Sequence, residues 1–488
     1  MTKRVPVEPE LTSGSVAWLS AQHQLNLFRS GSLSPVDVLT AQIARIERHG
    51  AALNALTYDH FDEALKAARE SERRYRNGTA RALEGITVAI KDEYAKAGWV
   101  VTAGSKLFED DAKDNNHPVI DKLLQAGAVL HAQTTVPELY LLGVTWSDLW
   151  GVTRNPWNRE CTPGGSSGGS AALVAAGMST LAIGSDMGGS IRIPCALNGL
   201  YGSKPAYGRI ASPDGSALVP HASPGPLARH LPDLALLQNI MMGPAAGCPA
   251  VLRPKLELPA EYRSEPRRLA LSMDQGWARV EPAVRARAIE AAKTFERAGH
   301  VVEEVALPFE TNDVKLRETI EAALFSTAIG GSLLQLKSKS ERLTSYGRRF
   351  VELAGSLGPS DANKAAEETV RLYRIIEENV FDKGFDALIT PTVATTTIQA
   401  EFDPTRDAVS IDGTPVDPYS GWFLTSIFSL LNWMPVINVP AGRAANGVPT
   451  GMQIVTPPYE DVRCFEIAGA YALATESLPF ISALNLEA

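Results

Sequence analysis

Apolar positions recur at helical spacing behind Ser34-Pro35-Val36-Asp37, where a serine can cap, a proline opens the first turn and an acid faces the helix N-terminus. The pattern predicts a helix running through Arg48. Helical spacing resumes from Phe61 to about Tyr75 and ends at Asn77-Gly78-Thr79, so residues 1–80 are expected to form a helical arm ahead of the core. The period then shortens. Apolar runs at 85–91, 99–102 and 128–132 are expected as strands, interleaved with a helix over 117–126 and a small-residue helix from Gly168 to Gly177. Arg268 to Met273, a helix from near Pro282 to Ala298, and Val301 to Val305 make a further strand-helix-strand unit. The stretch 313–380 is mostly helical by spacing and is expected as an insertion or lid over a cleft. Runs at 386–391, 436–440 and 452–456 return to strands. Such alternation describes an α/β protein.

The chain has 488 residues, so length alone allows two to four domains. A net charge of −9, with no window dense in lysine and arginine, argues against nucleic acid as a partner. Basic pairs such as Arg73-Arg74 and Arg348-Arg349 fit solvated helix faces. Four scattered cysteines with no C-x-x-C pair and no histidine at ligand spacing offer neither a disulfide framework nor a metal site. Met1 to Pro9 carries no apolar signal segment and no run has membrane-spanning length, so the expectation is a cytoplasmic protein without membrane attachment.

Chemistry concentrates in two glycine-rich turns flanking an apolar run. These are Cys161-Thr162-Pro163-Gly164-Gly165-Ser166-Ser167-Gly168-Gly169-Ser170 and Gly184-Ser185-Asp186-Met187-Gly188-Gly189-Ser190-Ile191-Arg192. A serine hydroxyl needs a base within reach and donors for the developing oxyanion. Consecutive backbone N–H groups over Asp186 to Ser190 supply such donors, which makes Ser190 the candidate nucleophile. Lys91 ends the apolar run from Gly85 to Ile90, and burial there would depress its pKa enough for it to act as base. Ser166, able to donate and accept, is the natural bridge between them.

Other readings stand beside this one. Lys91 taken alone fits a strand-end lysine reaching solvent, and either turn alone fits an ordinary loop. Gly165-Ser166-Ser167-Gly168-Gly169 also fits the G-x-S-x-G elbow, with Ser167 as nucleophile and His221, His230 or His300 as partner. A phosphate cradle lacks the Gly-Lys-Ser/Thr that should follow. Cys195 fits a small packed residue better than a nucleophile.

With Gly85 to Asp92, Arg154-Asn155-Pro156-Trp157, the Gly164 to Ser170 turn, Gly184 to Pro194 and Gly202-Ser203-Lys204-Pro205 in this order, the chain resembles the amidase signature family of serine hydrolases. The resemblance implies one large domain in α/β/α layers around a mixed sheet, with residues 81–488 as the catalytic core and no cofactor or metal. It implies Ser190 as nucleophile, Lys91 as base, and Ser166, after a cis peptide bond, as bridge. It further implies an oxyanion hole from the N–H groups of Met187, Gly188, Gly189 and Ser190, with Ser167, Asp186 and Arg192 in support. Ser203, Ala206 and Thr134 depart from residues frequent in the family, which bears on substrate preference more than on the triad.

For the substrate, Tyr140-Leu141-Leu142-Gly143-Val144-Thr145-Trp146, Gly165, the turn Tyr207-Gly208-Arg209, the helical insertion and Gln399 are expected to line the cleft. Their apolar and aromatic character fits a hydrophobic, aryl-bearing small molecule. Within the family the chain is similar to the urethanases, which cleave carbamates, and to aryl acylamidases, acting as a monomer or homodimer. The less favoured alternative is a glutaminase-type subunit of a tRNA-dependent amidotransferase, because family members that handle glutamine usually carry Gln after the Ile-Arg that follows the nucleophile. Ile193 stands there in this chain.

Overall fold

In the computed structural model, residues 15–213, 220–259, 262 and 265–475 are described. The expectation for Met1 to Pro9 lies outside them. Among the described residues eleven strands form one sheet: β1 (Leu56–Asp59), β2 (Thr87–Lys91), β3 (Val129–Thr134), β4 (Leu181–Asp186), β5 (Tyr201–Lys204), β6 (Ser223–Ala228), β7 (Arg268–Leu271), β8 (Val301–Glu304), β9 (Ala387–Pro391), β10 (Val436–Arg443) and β11 (Pro449–Val455). Their spatial order is β1-β3-β2-β4-β6-β5-β10-β11-β9-β7-β8. Parallel pairs (β2 with β3 and β4, β7 with β8 and β9) flank a central antiparallel stretch, so the sheet is mixed.

β2 is buried at every position, as expected for a strand covered on both faces. Its Ile90 lies opposite Ile183 of β4, so Lys91, the last residue of β2, comes level with Gly184 and next to Ser185 near the carboxyl ends of two parallel strands. Crevices of α/β sheets open at such ends. The helix Gly168–Ala175 is wholly buried. It can sit there because a Cβ on Gly169 would come within 2.5 Å of the Thr135 amide nitrogen, a contact only glycine avoids.

The expected helices at 34–48, 61–75, 117–126 and 282–298 fold as Pro35–Leu53, Phe61–Arg76, Pro118–Ala126 and Pro282–Arg297. Ser34 caps the first in a reciprocal box with Asp37. Between the first two, Leu56–Asp59 pairs with β3, so the N-terminal stretch supplies an edge strand as well as helices.

Residues 99–102 do not form the expected strand. Thr102 N–H is donated to Asp92 Oδ1 and Val101 N–H to the Asp111 carbonyl, which leaves one isolated bridge, Val100 with Ala112. Conversely, β4, β5 and β6 arise where glycine, serine and proline hide the alternation.

The 313–380 stretch folds as helices Asp313–Phe325, Ala328–Leu334, Ser345–Ser356 and Pro359–Ile376 with short 3-10 and π turns. Leu324, Phe325 and Phe350 from it pack in one apolar cluster with Leu142, Ile193 and Phe423. This places the insertion against the carboxyl-end crevice.

Candidate active site

A cavity of about 520 Å³ opens at the carboxyl ends of β2 and β4. Ser166, Ser185 and Ser190 line it on the sheet side, and Leu324, Phe325 and Phe350 on the insertion side. Lys91 reaches it from beneath, with no exposure to solvent. Its Nζ donates to Ser166 Oγ at 2.8 Å and to Ser185 Oγ at 2.7 Å, and lies over the Tyr140 ring, 5.2 Å from the centroid. Burial lowers the Lys91 pKa, opposed first by Glu93 at 3.1 Å and then by Asp186. The Gly165-Ser166 peptide is cis, as the family resemblance implies.

Ser190 is half-buried at the cavity wall, and its carbonyl accepts from Ser167 N–H at 3.1 Å. The turn carrying it is shaped by Asp186, whose carboxylate accepts from the N–H groups of Gly189 (2.8 Å), Ile191 (3.2 Å) and Arg192 (3.3 Å). Arg192 clamps the same carboxylate and extends to the Thr425 carbonyl, Gln453 Oε1 and Ser429 Oγ. Burial pushes the Asp186 carboxyl up, but the Arg192 guanidinium, Lys204 and the Ile191 N–H together outweigh it and hold the group below the usual carboxylate range. Thr425 Oγ1 donates to the Gly188 carbonyl at 2.6 Å, pinning the turn from the opposite side.

Of the four N–H groups expected for an oxyanion hole, that of Gly189 donates to the Asp186 carboxylate. Peptide geometry explains this partner. With φ of +125° at Gly189, the chain turns its amide toward the carboxylate that organises it.

Tyr140, Leu141, Leu142 and Gly165 line the cavity as expected. Arg209 and Gln399 do not. The Arg209 guanidinium is engaged elsewhere, with Nε on Asp461 Oδ2 and Nη2 on the Tyr459 carbonyl, both at 2.8 Å. Tyr207 and Gly208 border a separate shallow dent beside Ala250 and Val251. Gln399 bridges Cys161 by its backbone, and its amide turns back to the Thr397 carbonyl.

The elbow reading of Ser167 finds no base. Ser167 Oγ donates to the Ser185 carbonyl at 3.4 Å, and His221, His230 and His300 are absent from the cavity wall.

Three site features escape the sequence reading. Ser185 and Glu93 contact Lys91 Nζ directly. Lys204, in the block Gly202 to Pro205, is wholly buried on Asn432 Oδ1 (2.7 Å) and the Met434 carbonyl (2.8 Å), and burial, with Arg192 nearby, lowers its pKa to about 7. The third is a charged end of the cavity, Arg317 and Glu321, on the helix Asp313–Phe325. The i, i+4 spacing of that pair is a signal the sequence did carry.

The family model described as Amidase matches residues 37–465. The chain is 31% identical over 487 residues to a glutamyl-tRNA(Gln) amidotransferase subunit of Symbiobacterium thermophilum, covering 94% of this chain and 97% of that one. It is 30% identical over 468 residues to an acylamidase of Rhodococcus erythropolis, covering 94% and 96%. Among solved structures, a bacterial aryl acylamidase of the amidase signature family superposes with a TM-score of 0.87 at 28% identity, covering 96% of this chain and 98% of that one. The matched span takes in both serine turns, Lys91 and the whole sheet, and the chain therefore belongs to the amidase signature family of hydrolases acting on amides.

Proposed function

We propose that the protein hydrolyses the C–N bond of neutral, hydrophobic, aryl-bearing amides and carbamates through an acyl-enzyme on Ser190. One observation carries this reading: the unexposed Lys91 Nζ sits 2.8 Å from Ser166 Oγ in the same cavity that presents Ser190. Lys91, its pKa lowered by burial, draws the Ser166 proton as Ser166 takes that of Ser190. The Ser190 oxygen then adds to the carbonyl carbon. N–H groups of Met187, Gly188 and Ser190 receive the oxyanion. The proton returns through Ser166 to the departing nitrogen, which leaves as a neutral amine.

Water repeats the cycle on the acyl-enzyme. With an amide it releases a carboxylic acid. With a carbamate it releases a carbonic half-ester, which loses carbon dioxide to give an alcohol.

Apolar walls from Leu141, Leu142, Phe325 and Phe423 favour aryl groups, and Ile193, apolar where glutamine-handling members carry Gln, disfavours free glutamine. Similarity to the amidotransferase subunits supports a second, partner-dependent reading. Aniline release from a small aryl carbamate and its matching anilide, with wild type and Ser190→Ala, separates these. Cleavage of both, lost in the variant, is expected. Anilide cleavage alone removes the carbamate activity, and turnover of neither favours the partner-dependent reading.

A further inference from the structure

Lys91 Nζ has three polar neighbours, and Ser166 accounts for only one of them. Glu93, two residues on, carries its carboxylate back to the strand end. Its Oε2 accepts from Ser185 Oγ at 2.5 Å and stands 3.1 Å from Nζ. Ser185 Oγ meanwhile accepts from Nζ at 2.7 Å. Nζ, Ser185 Oγ and Glu93 Oε2 thus close a ring of three mutual contacts. Glu93 is 28% exposed and faces the cavity, whereas Lys91 is not exposed at all.

Building on the Ser190 reading above, we infer that Glu93, through its contacts with Ser185 and Lys91, is a positioning residue for the base. It aims Nζ at Ser166 and balances the positive charge that Nζ acquires when the nucleophile's proton arrives. A base that takes a proton while itself cut off from solvent leaves a poorly solvated cation there, unless an oriented anion faces it. Serine hydrolases with a histidine base meet this need with a carboxylate that orients the base and stays ionised.

The other groups around Nζ do not fill the role. Asp186 is clamped by Arg192, and Asp92 turns its carboxylate to Thr102. Tyr140 presents its ring face and sends its hydroxyl to the Asp92 carbonyl, while Tyr94 donates to the Gly184 carbonyl.

Glu93 also opposes the burial that lowers the Lys91 pKa. Removing the charge while keeping the shape therefore gives a signed result. In Glu93→Gln the Lys91 pKa falls, so the acid limb of kcat/KM moves to lower pH by about one unit or more. The high-pH plateau drops roughly tenfold or more, since the cation formed in the transition state loses its counter-ion. KM stays near the wild-type value.

The experiment is kcat/KM against pH on one anilide for wild type, Glu93→Gln, Glu93→Asp and Ser190→Ala, with thermal unfolding of each. Partial return of the limb in Glu93→Asp is expected. An unmoved limb in Glu93→Gln, or a loss confined to KM, overturns the positioning role. If the Gln variant does not fold, Glu93→Asp carries the test: a carboxylate drawn back by one methylene predicts a smaller displacement in the same direction, and none overturns the role. Activity surviving in Ser190→Ala overturns the nucleophile itself, whereas an inactive Ser190→Ala beside an unmoved Gln limb overturns Glu93 alone.

Discussion

Arg192 grips both oxygens of the Asp186 carboxylate, Nε on Oδ2 at 2.9 Å and Nη2 on Oδ1 at 2.8 Å, with neither side chain exposed. The pair joins the end of β4 to the helix Arg192–Asn198 across the turn that carries Ser190. Truncating one partner leaves the other charge buried and unpaired, which typically costs about 3–5 kcal/mol. Arg192→Ala should lose stability on that scale in denaturant unfolding. Arg192→Lys keeps a charge but cannot bind both oxygens while reaching Thr425 and Gln453. It should retain more stability than the alanine variant yet lose roughly tenfold or more in kcat/KM, because the turn loses its alignment. Wild-type turnover in Arg192→Lys would show that charge alone suffices.

Gly188 and Gly189 are adjacent, yet they should answer differently to the same methyl group. At Gly189 the φ of +125° is one that L side chains rarely adopt, and a Cβ would lie 2.2 Å from Thr425 Oγ1, the hydroxyl that pins the Gly188 carbonyl. At Gly188 an added Cβ meets nothing within 4 Å. Gly189→Ala is expected to displace the turn and lower kcat about a hundredfold or more, the scale of losing one oxyanion donor. Gly188→Ala should unfold within about 0.5 kcal/mol of wild type. Equal unfolding midpoints and equal activities for the two variants would contradict the geometry.

The contrast shows what the sequence carried and what it hid. Lys91 was legible because an unbroken apolar run leads to it, and the two serines because glycines cluster around them. β6 was not, since Ser223-Pro224-Gly225-Pro226 reads as a loop. Its pairing with β4 and β5 overrides local preference. Glu93 carries no periodic signal, and only the parallel register of β2 with β4 brings Ser185 to meet it. Arg209 and Gln399 were misplaced for the converse reason. A long polar side chain goes to the partner that folding supplies, and for Arg209 that partner is Asp461, which no local pattern links to it.

The far end of the cavity gives a test of substrate selection. Glu321, 8% exposed, accepts from Arg317 Nη1 at 2.7 Å and from Arg349 Nη2 at 2.6 Å, while Arg317 Nε donates to Asp417 Oδ2 at 2.7 Å. Two cations and two anions cancel, so this end suits a neutral substrate. Replacing Glu321 with Gln removes one anion and leaves both guanidinium groups, giving the cavity a net positive end. A carboxylate on the substrate would then find bidentate donors. Glu321→Gln should raise kcat/KM for an anilide bearing a distal carboxylate, relative to its neutral analogue, by roughly tenfold, about 1.4 kcal/mol of differential binding. The gain should shrink at high ionic strength, because the cavity is open to solvent. Stability should fall by about 1–3 kcal/mol as two charge-assisted hydrogen bonds weaken. An unchanged ratio of carboxylate to neutral substrate, in a variant that folds, would mean that bound substrate does not reach Arg317. Selection would then rest on the apolar walls around Leu142 and Phe423 alone.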